Sequence, residues 1–578
     1  MKTHRPHIND IRDIEDIEKI PLESYVKERT SYDVLKTSAA QWPEREAFIF
    51  LPPNNPLGEP LIVTYQQLFN NVNQVANLLM MCGITTEKAV SYILPNIPEN
   101  CFLFFAAQAV GIANPISSNL PPEQIAELLQ MAESEILIST GPHTNPQLWE
   151  NILKARKLYP GLKKILVLED YSDPKQNIES FYRLLATQPI FPLFDENEIN
   201  PKAVCSYFHT SGTVGPPKLV QHTHEGIMHA AWAAGIFAHY QRDNAVVLSG
   251  FPLFHVSAPI AEALSALLYG ASVVVMSPQG WADPSVIANF WKIVERYKGT
   301  SIAAVPPIYK ALINVPLKGE NISSLQSALS GNVSISTEDS DVFYAITGVR
   351  ISTLWGQTEA IVGCINPSST PDNRTFGAAG LRLPYLQMKI LKGDTLQECR
   401  PQEPGALYIK GPNVGSYKST ALNEEAFIKD IFNGLKNEGY WLNTGDRAYK
   451  DEDGYIWILG RQSDFILWEN SYISLLAIEA TLQENPFIKK AAVICSPAQI
   501  LGDRVYAFLM VDQETAINPS ALIQQLQTTI KKQFGSLPID IEVRNNLPLN
   551  GMGKVIKYRL RKELQLELDI KKVSYNAG

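Results

Sequence analysis

Helix-like apolar runs alternate with short β-branched runs along most of this chain, and this alternation restricts its fold more than any other feature. Cys101–Ile116 predicts a helix followed by a strand, and Ile260–Tyr269 predicts a helix that passes through Gly270 into the strand Ser272–Met276. Such alternation is typical of mostly parallel sheets covered by helices. Because 578 residues exceed what one hydrophobic core usually supports, we expect an α/β protein of two or more domains.

The composition agrees with a cytoplasmic protein. Lys and Arg number 50 against 59 Asp and Glu, and the net charge of −9 argues against nucleic acid or an anionic membrane as the main partner. The acidic start, MKTHRPHINDIRDIEDIEKI, lacks the apolar core of a secretion signal. Polar residues interrupt the most apolar stretches, so no transmembrane segment is expected. The 6 cysteines lack CxxC spacing and predict neither a disulfide framework nor a zinc site.

A glycine-rich run, TSGTVGPPK, extends from Thr210 to Lys218 after the apolar stretch Ala203–Phe208, which predicts a buried strand. Its glycines allow a tight turn and a close approach of the backbone to a ligand, and its amides, hydroxyls and lysine suit phosphate oxygens. The short spacing between its glycines excludes a Walker P-loop. The alternative is an ordinary surface turn. The residues that would grip a polyanion are Thr210, Ser211, Gly212, Thr213, Gly215 and Lys218.

A second motif, TLWGQTEA, runs from Thr353 to Ala360 and suits the end of a strand. There Trp355 could cover a base, Thr358 could reach a phosphate and Glu359 could hold Mg2+ through its oxygens. The alternative is a helix-start cap, because Thr followed by Glu in a turn often caps a helix. Taken by itself, the motif favours the cap.

A third motif pairs Asp446 with Arg461. Thr444–Asp446 is expected to turn the chain, Tyr455–Ile458 alternates like a strand, and Asp451–Gly454 is typical of a hairpin turn. This geometry would bring the two charged side chains to one ligand. A carboxylate suits two ribose hydroxyls, and a guanidinium suits the ribose edge and a phosphate. The alternative is a plain hairpin closed by a weak surface ion pair.

A fourth motif, LPLNGMGKVIKYRLRKEL, begins at Leu547 and places Lys554 after a glycine-rich turn, at the start of a basic, helix-like stretch. A lysine on such a loop can bring a point charge to a phosphate and a carboxylate as they react. The alternative is the solvated basic end of a helix, which is the interpretation we prefer for the later basic residues of the stretch.

The four motifs occur in this order together with FPLFH from Phe251, VPPIYKAL from Val305 and ALSGNVS from Ala328. The chain thereby resembles the adenylate-forming, or AMP-binding, superfamily, which holds acyl-CoA synthetases, luciferases and the adenylation domains of peptide synthetases. The resemblance covers about residues 30 to 565.

The resemblance implies an α/β fold with four segments. Residues 1–28 are expected to form an N-terminal extension, packed loosely or wrapped on the surface. Residues 29–460 would form the adenylation domain, with two α/β subdomains and a small β-barrel. Residues 461–570 would form a small α+β C-terminal lid domain, followed by the tail 571–578.

The resemblance also implies an ATP-dependent, AMP-forming acyl-CoA synthetase. Such an enzyme joins a carboxylic acid, here expected to be a fatty acid, to ATP as acyl-AMP with release of pyrophosphate. It then transfers the acyl group to CoA, the expected acceptor, and uses Mg2+. Two alternatives stay open: an acyl-AMP ligase that loads a carrier protein, and a non-catalytic pseudoenzyme that binds nucleotide or an acyl ligand. Assembly as a homodimer also stays open.

Site residues follow from the same resemblance. Lys554, Glu359 and Arg461 are expected to be catalytic, with Glu359 also holding Mg2+. His255 in FPLFH is expected near the mouth of the acyl pocket; its alternative is an ordinary buried histidine. The residues expected to bind the nucleotide are Thr210, Ser211, Gly212, Thr213, Gly215, Lys218, Gly331, Trp355, Gly356, Gln357, Thr358, Asp446, Arg461 and Lys554.

The start of the expected lid departs from the family pattern. The family usually has GRxKDxIKxxGxxIxPxEIE, whereas this chain has GRQSDFILWENSYISLLAIEA from Gly460. The glycine that normally lines the path of the thiol is Asn470, which tolerates a left-handed backbone but adds a side chain. The departures leave open whether CoA or a carrier protein accepts the acyl group, and they fall at Ser463, Leu467, Asn470, Leu475 and Ala477.

Overall fold

The computed structural model describes the chain over residues 6–210, 217–331, 335–367, 376–395, 397–429, 439–469, 471–495, 504–511, 519–548 and 555–576. These residues form two compact units. The first unit holds residues 6–210, 218–444 and 448–458, and the second holds Pro217, Gly445–Arg447 and the residues from Leu459 onward. Throughout the described residues, every helix falls short of the length and apolar character needed to span a membrane.

The strands, in chain order, are β1 Glu46–Phe50, β2 Leu61–Thr64, β3 Ala89–Ile93, β4 Ile112–Pro115, β5 Ile136–Ser139, β6 Lys164–Val167, β7 Ile178–Ser180, β8 Val204–His209, β9 Leu219–Thr223, β10 Val246–Ser249, β11 Ser272–Val275, β12 Ser301–Ala304, β13 Ser327–Ser330, β14 Ile351–Trp355, β15 Cys364–Ile365, β16 Leu381–Arg382, β17 Gln387–Lys392, β18 Gln397–Glu398, β19 Gly405–Lys410, β20 Ser416–Tyr417, β21 Phe427–Lys429, β22 Tyr440–Lys450, β23 Ile456–Arg461, β24 Phe465–Trp468, β25 Ser471–Ser474, β26 Ile488–Cys495, β27 Val505–Val511 and β28 Ile539–Val543.

The helices are α1 Ile11–Ile17, α2 Ser31–Gln41, α3 Tyr65–Met81, α4 Pro98–Val110, α5 Pro122–Met131, α6 Pro146–Leu158, α7 Phe181–Leu185, α8 His224–Phe237, a π-helix Ser257–Leu264, α9 Ser265–Leu268, α10 Pro284–Ala288, α11 Phe290–Tyr297, α12 Pro306–Leu312, α13 Thr337–Thr347, α14 Thr420–Ala426, α15 Leu475–Gln483, α16 Pro519–Phe534 and α17 Lys557–Asn576.

Two large, mostly parallel sheets dominate the first unit. One has 8 strands in the order β20-β9-β8-β4-β3-β5-β6-β7, and the other has 9 in the order β16-β15-β14-β13-β12-β10-β11-β1-β2. Both faces of the 9-stranded sheet are buried: Val273 and Val274, neighbours on β11, belong to separate apolar clusters. Sheets buried on both faces by helices are the parallel arrangement that the alternating sequence predicts, and the α/β class is confirmed.

The predicted passage from helix to strand after FPLFH is present, with one difference. The helical run begins as a π-helix, Ser257–Leu264, and continues as α9. Gly270, with a φ of +71°, then turns the chain into β11. Wide π turns are uncommon and are found frequently at functional sites, which makes this run a segment to search for chemistry.

A third, 6-stranded sheet follows, in the order β18-β17-β19-β22-β21 with β23 beside β22, where a small barrel is expected. The predicted hairpin between β22 and β23 is confirmed. Its turn is held by Asp451, whose carboxylate accepts hydrogen bonds from the Tyr455 amide at 2.8 Å and the Trp457 indole at 2.8 Å. The Thr444–Asp446 turn is not: these residues continue β22, and Gly445, with a φ of +72°, kinks the strand instead of ending it.

The second unit contains the hairpin β24–β25 and the 3-stranded sheet β26-β27-β28, packed with α15 and α16. Its apolar core includes Leu475, Ile478, Val493 and Ile530, all fully buried. The helix α17 that follows Lys554 agrees with the predicted basic, helix-like stretch. This small α+β body agrees with the expected class of a C-terminal domain.

The N-terminal segment is anchored to the first unit. In α1, Ile14 and Ile17 are buried in its main apolar cluster. The Glu18 carboxylate accepts two hydrogen bonds from the Arg382 guanidinium, one of them at 2.8 Å, and also accepts one from the Tyr385 amide. The Tyr385 hydroxyl in turn donates to the Ile17 carbonyl at 3.1 Å. The segment is therefore held at a fixed position on the surface of the first unit.

Replacing Glu18 with alanine is expected to speed amide hydrogen exchange in α1 about tenfold, or about 1.4 kcal/mol of local opening free energy. The reason is that Arg382 and the Tyr385 amide would lose a shared, half-buried acceptor. Lys19→Ala is the matched control, because its ion pair with Asp16 is largely exposed. Equal exchange in both variants, measured by mass spectrometry, would contradict the anchoring role.

Candidate active site

The glycine-rich run joins two paired strands. β8 and β9 are antiparallel, with His209 opposite Leu219, so the chain must reverse between them. The Thr210 amide donates to the Lys218 carbonyl at 2.9 Å, and the Lys218 amide donates to the Thr210 hydroxyl at 3.1 Å. These bonds fasten the base of the loop, while Ser211, Gly212, Thr213 and Gly215 lie outside the described residues.

Tyr417 connects the glycine-rich run to the TLWGQTEA motif. The Lys218 ammonium lies 5.0 Å from the centroid of the Tyr417 ring, and the Tyr417 hydroxyl donates to Glu359 Oε1 at 2.6 Å. Pairing of β20 with β9 sets this arrangement, because it places Tyr417 opposite Val220. The structure thus brings a cation and a carboxylate from two predicted motifs onto one side chain that the motif analysis missed.

The backbone of the TLWGQTEA turn is held by a buried histidine. His222 Nε2 lies 2.8 Å from the Thr358 carbonyl, and because a carbonyl only accepts, Nε2 must carry the proton. Burial lowers the pKa of His222 to about 4, so the ring is neutral near pH 7. The Gly415 amide adds a hydrogen bond of 2.7 Å to the Glu359 carbonyl. Glu359 is therefore presented on a fixed turn.

A second buried side chain holds the same turn through hydrogen bonds. Asn413 Nδ2 donates to the carbonyls of Ala360, at 2.6 Å, and Val362, at 2.7 Å. Asn413 is fully buried. Asn413 and Tyr417 both come from the segment after β19, so this segment supports the predicted metal-binding turn from one side.

Two predicted nucleotide-binding motifs stand at the carboxyl ends of neighbouring parallel strands, β13 and β14. Gly331 follows β13, and Trp355 is the last residue of β14 and is half-buried. A methyl group on Gly356 would lie 2.3 Å from the Ile361 carbonyl oxygen, so this tight turn requires glycine. The Gln357 carbonyl closes the turn by accepting from the Ala360 amide at 2.9 Å. Ligands of parallel α/β sheets bind at this edge.

The predicted substrate residue His255 lies just beyond β10. His255 is exposed to solvent, while desolvation by the protein atoms around its ring lowers its pKa. His255 Nδ1 lies 2.8 Å from the Ser257 hydroxyl, at the start of the π-helix. His209, next to Thr210, stacks on Phe254 with ring centroids 6.0 Å apart. The FPLFH segment therefore packs against the last residue of β8, next to the start of the glycine-rich run.

The Asp446 and Arg461 pair is present in the second unit. Arg461 Nε lies 3.3 Å from Asp446 Oδ1, and the side-chain exposures are 47% for Arg461 and 6% for Asp446. Gln462 Nε2 also donates to the Asp446 carbonyl at 3.2 Å. A buried carboxylate beside a half-exposed guanidinium agrees with the predicted geometry. Lys554 and Asn470 lie outside the described residues.

For the ATP-dependent reaction that the resemblance implies, Tyr417→Phe is expected to lower kcat/KM for ATP about tenfold, since the Glu359 carboxylate would lose the hydrogen bond that orients it. The ring that Lys218 contacts would remain. Tyr344→Phe, at an exposed tyrosine of α13, serves as the control. Steady-state kinetics with saturating acid measure the effect, and equal kinetics in both variants would contradict the role of the hydroxyl.

Comparison with known proteins identifies the class to which this fold and site belong. The model of the AMP-binding enzyme family matches residues 35–417, and that of the AMP-binding enzyme C-terminal domain matches residues 477–554. Marinolic acid–CoA ligase of Pseudoalteromonas sp. (strain SANK 73390) is 30% identical over 567 residues, covering 96% of this chain and 85% of the relative. The chain belongs to the AMP-binding enzyme family.

Solved structures agree on the fold. ATP-bound MatB from Rhodopseudomonas palustris gives a TM-score of 0.70 at 20% identity and covers 92% of this chain and 98% of MatB. The fatty acyl CoA synthetase of Mycobacterium tuberculosis gives 0.69 at 22% identity, covering 93% and 98%. The predicted adenylate-forming family and the predicted ATP-dependent, AMP-forming ligase class are confirmed by the two family models together with marinolic acid–CoA ligase.

Proposed function

We propose that the chain activates a fatty acid with ATP, forming acyl-AMP and pyrophosphate, and then transfers the acyl group to CoA. The observation that carries the proposal is the junction of Lys218, Tyr417 and Glu359 at the base of the glycine-rich loop. It combines a cation that suits a phosphate with a carboxylate that suits a metal ion. The relatives named for CoA ligation of an acid support the same reaction type.

Charge determines the first step. The acid and the triphosphate are both anions, so cations must hold them together before the carboxylate oxygen attacks the α-phosphate and pyrophosphate leaves. Lys218 and the loop amides would hold the phosphates, while Asp446 and Arg461 would hold the ribose. Lys554 would neutralise the charge that gathers between carboxylate and phosphate.

Mg2+ is part of the proposal. Within the described residues, no group of three or more His, Cys, Asp and Glu side chains could hold a metal ion by itself. A single carboxylate such as Glu359 nevertheless fits Mg2+, which is usually bound through one or two carboxylates with substrate phosphates and water. When bound, the ion would offset phosphate charge. Glu359 would position it, and Tyr417 would orient Glu359.

The proposed division of labour follows the expected domains. Residues 29–460 would supply the nucleotide and acid sites, residues 461–570 would supply Lys554, and residues 1–28 would anchor to the first unit through Glu18. His255 would stand at the entrance for the acid. No charged residue in the predicted pocket segments suits an amino-acid ammonium group, which favours a hydrocarbon chain.

The proposal is tested by pyrophosphate release with ATP, Mg2+ and octanoate, palmitate or benzoate, with and without CoA. We expect CoA-dependent turnover of a fatty acid and formation of its thioester. A burst indifferent to CoA would instead favour an acyl-AMP ligase for a carrier protein. Silence with every acid would refute the proposal and favour the non-catalytic binding protein.

Asn470→Gly is expected to raise the rate of CoA thioester formation and leave pyrophosphate exchange unchanged. The physical reason is that glycine removes a side chain from the expected path of the thiol. The readout is thioester formation by chromatography beside exchange in the same preparation. Leu467→Lys, which also restores a residue of the family pattern, serves as the comparison. An unchanged rate of thioester formation in Asn470→Gly would refute the idea that the Asn470 side chain obstructs the path of the thiol.

A further inference from the structure

Two residues on one face of the 9-stranded sheet keep a small exposure to solvent. Ala303 on β12 is paired with Leu329 on β13, in the middle of the sheet. These residues keep exposures of 7% and 6%, whereas their neighbours Ile302 and Ala328, on the opposite face, are at 0%. Side chains alternate between faces along a strand. The residual exposure of Ala303 and Leu329 places a small, water-sized space against this face of the sheet.

Glu262 is a carboxyl group on the same face. Val247 on β10 pairs with Ser301, so Ser249, two residues later, shares the face of Ala303. The Ser249 hydroxyl donates to Glu262 Oε2. Glu262 belongs to the π-helix Ser257–Leu264, which begins immediately after the FPLFH segment. The carboxyl group therefore stands at the carboxyl end of β10, on the edge where parallel sheets bind ligands.

One oxygen of this carboxyl group is unsatisfied. Glu262 is only 3% exposed, and within the part of the chain that the structure describes its Oε1 atom has no hydrogen-bond partner. The Tyr309 hydroxyl donates to the Leu329 carbonyl at 2.8 Å and makes no hydrogen bond with Oε1. A buried polar atom without a partner costs roughly 1–3 kcal/mol, so Oε1 calls for a hydrogen-bonding group, which a polar atom of a bound ligand can supply in place of water.

The protonation state of Glu262 restricts the chemical class of ligand that it can bind. Burial raises the pKa of the Glu262 carboxyl to about 8, and the Ser249 hydrogen bond offsets this only in part. Near pH 7 the group is mostly neutral and carries one O–H donor beside its acceptors. A hydroxyl group, which both donates and accepts, matches such a carboxyl, whereas an unbroken hydrocarbon chain would leave Oε1 unpaired.

We propose that Glu262 is a specificity-determining residue whose Oε1 atom hydrogen-bonds a hydroxyl group carried along the acyl chain, and that the substrates are hydroxylated fatty acids. The inference rests on the proposed function and deepens it. The acyl chain would enter past His255, run along Ala303 and Leu329, and meet Glu262 partway. A site that hydrogen-bonds a hydroxyl discriminates against the analogue that lacks it, since its own polar atom then stays buried and unpaired.

The test compares palmitate with a positional series of monohydroxypalmitates in acid-dependent pyrophosphate exchange. We expect the wild type to prefer at least one isomer over palmitate by about tenfold or more in kcat/KM. Glu262→Leu should abolish that preference while palmitate is used at least as well as before. Glu262→Gln, which keeps one donor and one acceptor, should retain part of it. KM for ATP should not change in either variant.

The control is Ser265→Ala, which removes a buried hydrogen bond to the Ala231 carbonyl from the same helical run. Thermal unfolding of all variants shows that the fold is intact. Equal selectivity in the wild type and both Glu262 variants, with exchange active, would overturn the inference and leave the proposed function standing. Absence of exchange with every acid in the wild type would overturn both.

Discussion

Replacing Lys554 with alanine should lower acid-dependent pyrophosphate exchange at least hundredfold, on the order of 3 kcal/mol of transition-state stabilisation, while ATP still binds. The reason is that the proposed role of Lys554 is to supply charge only where carboxylate and α-phosphate react, with other groups holding the triphosphate. Exchange of labelled pyrophosphate measures the first effect, and isothermal titration with ATP measures the second.

The control for Lys554 must be another basic residue of the same stretch. Lys562→Ala is suitable because its side chain is exposed on α17. Lys557→Ala is not, since the Lys557 ammonium lies 2.7 Å from a Glu479 carboxylate oxygen and 3.6 Å from one of Asp464 and so supports the second unit itself. Full exchange activity in the Lys554 variant would show that Lys554 has no part in the mechanism.

Glu359→Gln should reduce exchange about hundredfold and raise the Mg2+ concentration required for half-maximal rate. A neutral amide keeps the shape of the side chain but loses the charge that favours a divalent cation. A rate measured against Mg2+ at fixed ATP separates a metal defect from a general loss. Glu424→Gln, at an exposed position of α14, controls for the change of charge. An unchanged Mg2+ requirement would refute the metal role.

Local patterns predicted the fold well. The strand before the glycine-rich run, the strand that ends at Trp355, the hairpin at Asp451 and the passage through Gly270 each depend on residues close together in the chain. The turn expected at Gly445 was wrong, because positive φ in a glycine also fits a kink within a paired strand.

Contacts between distant segments could not be predicted in this way. Tyr417 joins Lys218 to Glu359 only because β20 pairs with β9, and a short sequence pattern does not predict pairing between strands so far apart in the chain. Asn413 was missed for the same reason. In the sequence, Glu262 is one polar residue within the apolar run Ile260–Met276, and the features that suggest a role for it, the Ser249 hydrogen bond and the exposure of Ala303, are visible only in the structure.

The anchoring of the N-terminal segment to the first unit has a practical consequence for any shortened form of the protein. Ile14 and Ile17 cover apolar surface of the first unit, and Glu18 neutralises Arg382 beside it. A chain that started at residue 29 would expose this apolar surface of the first unit next to the unpaired positive charge of Arg382. Exposed apolar patches promote self-association, so truncation should first appear as lower solubility, even with every residue of the proposed chemistry in place.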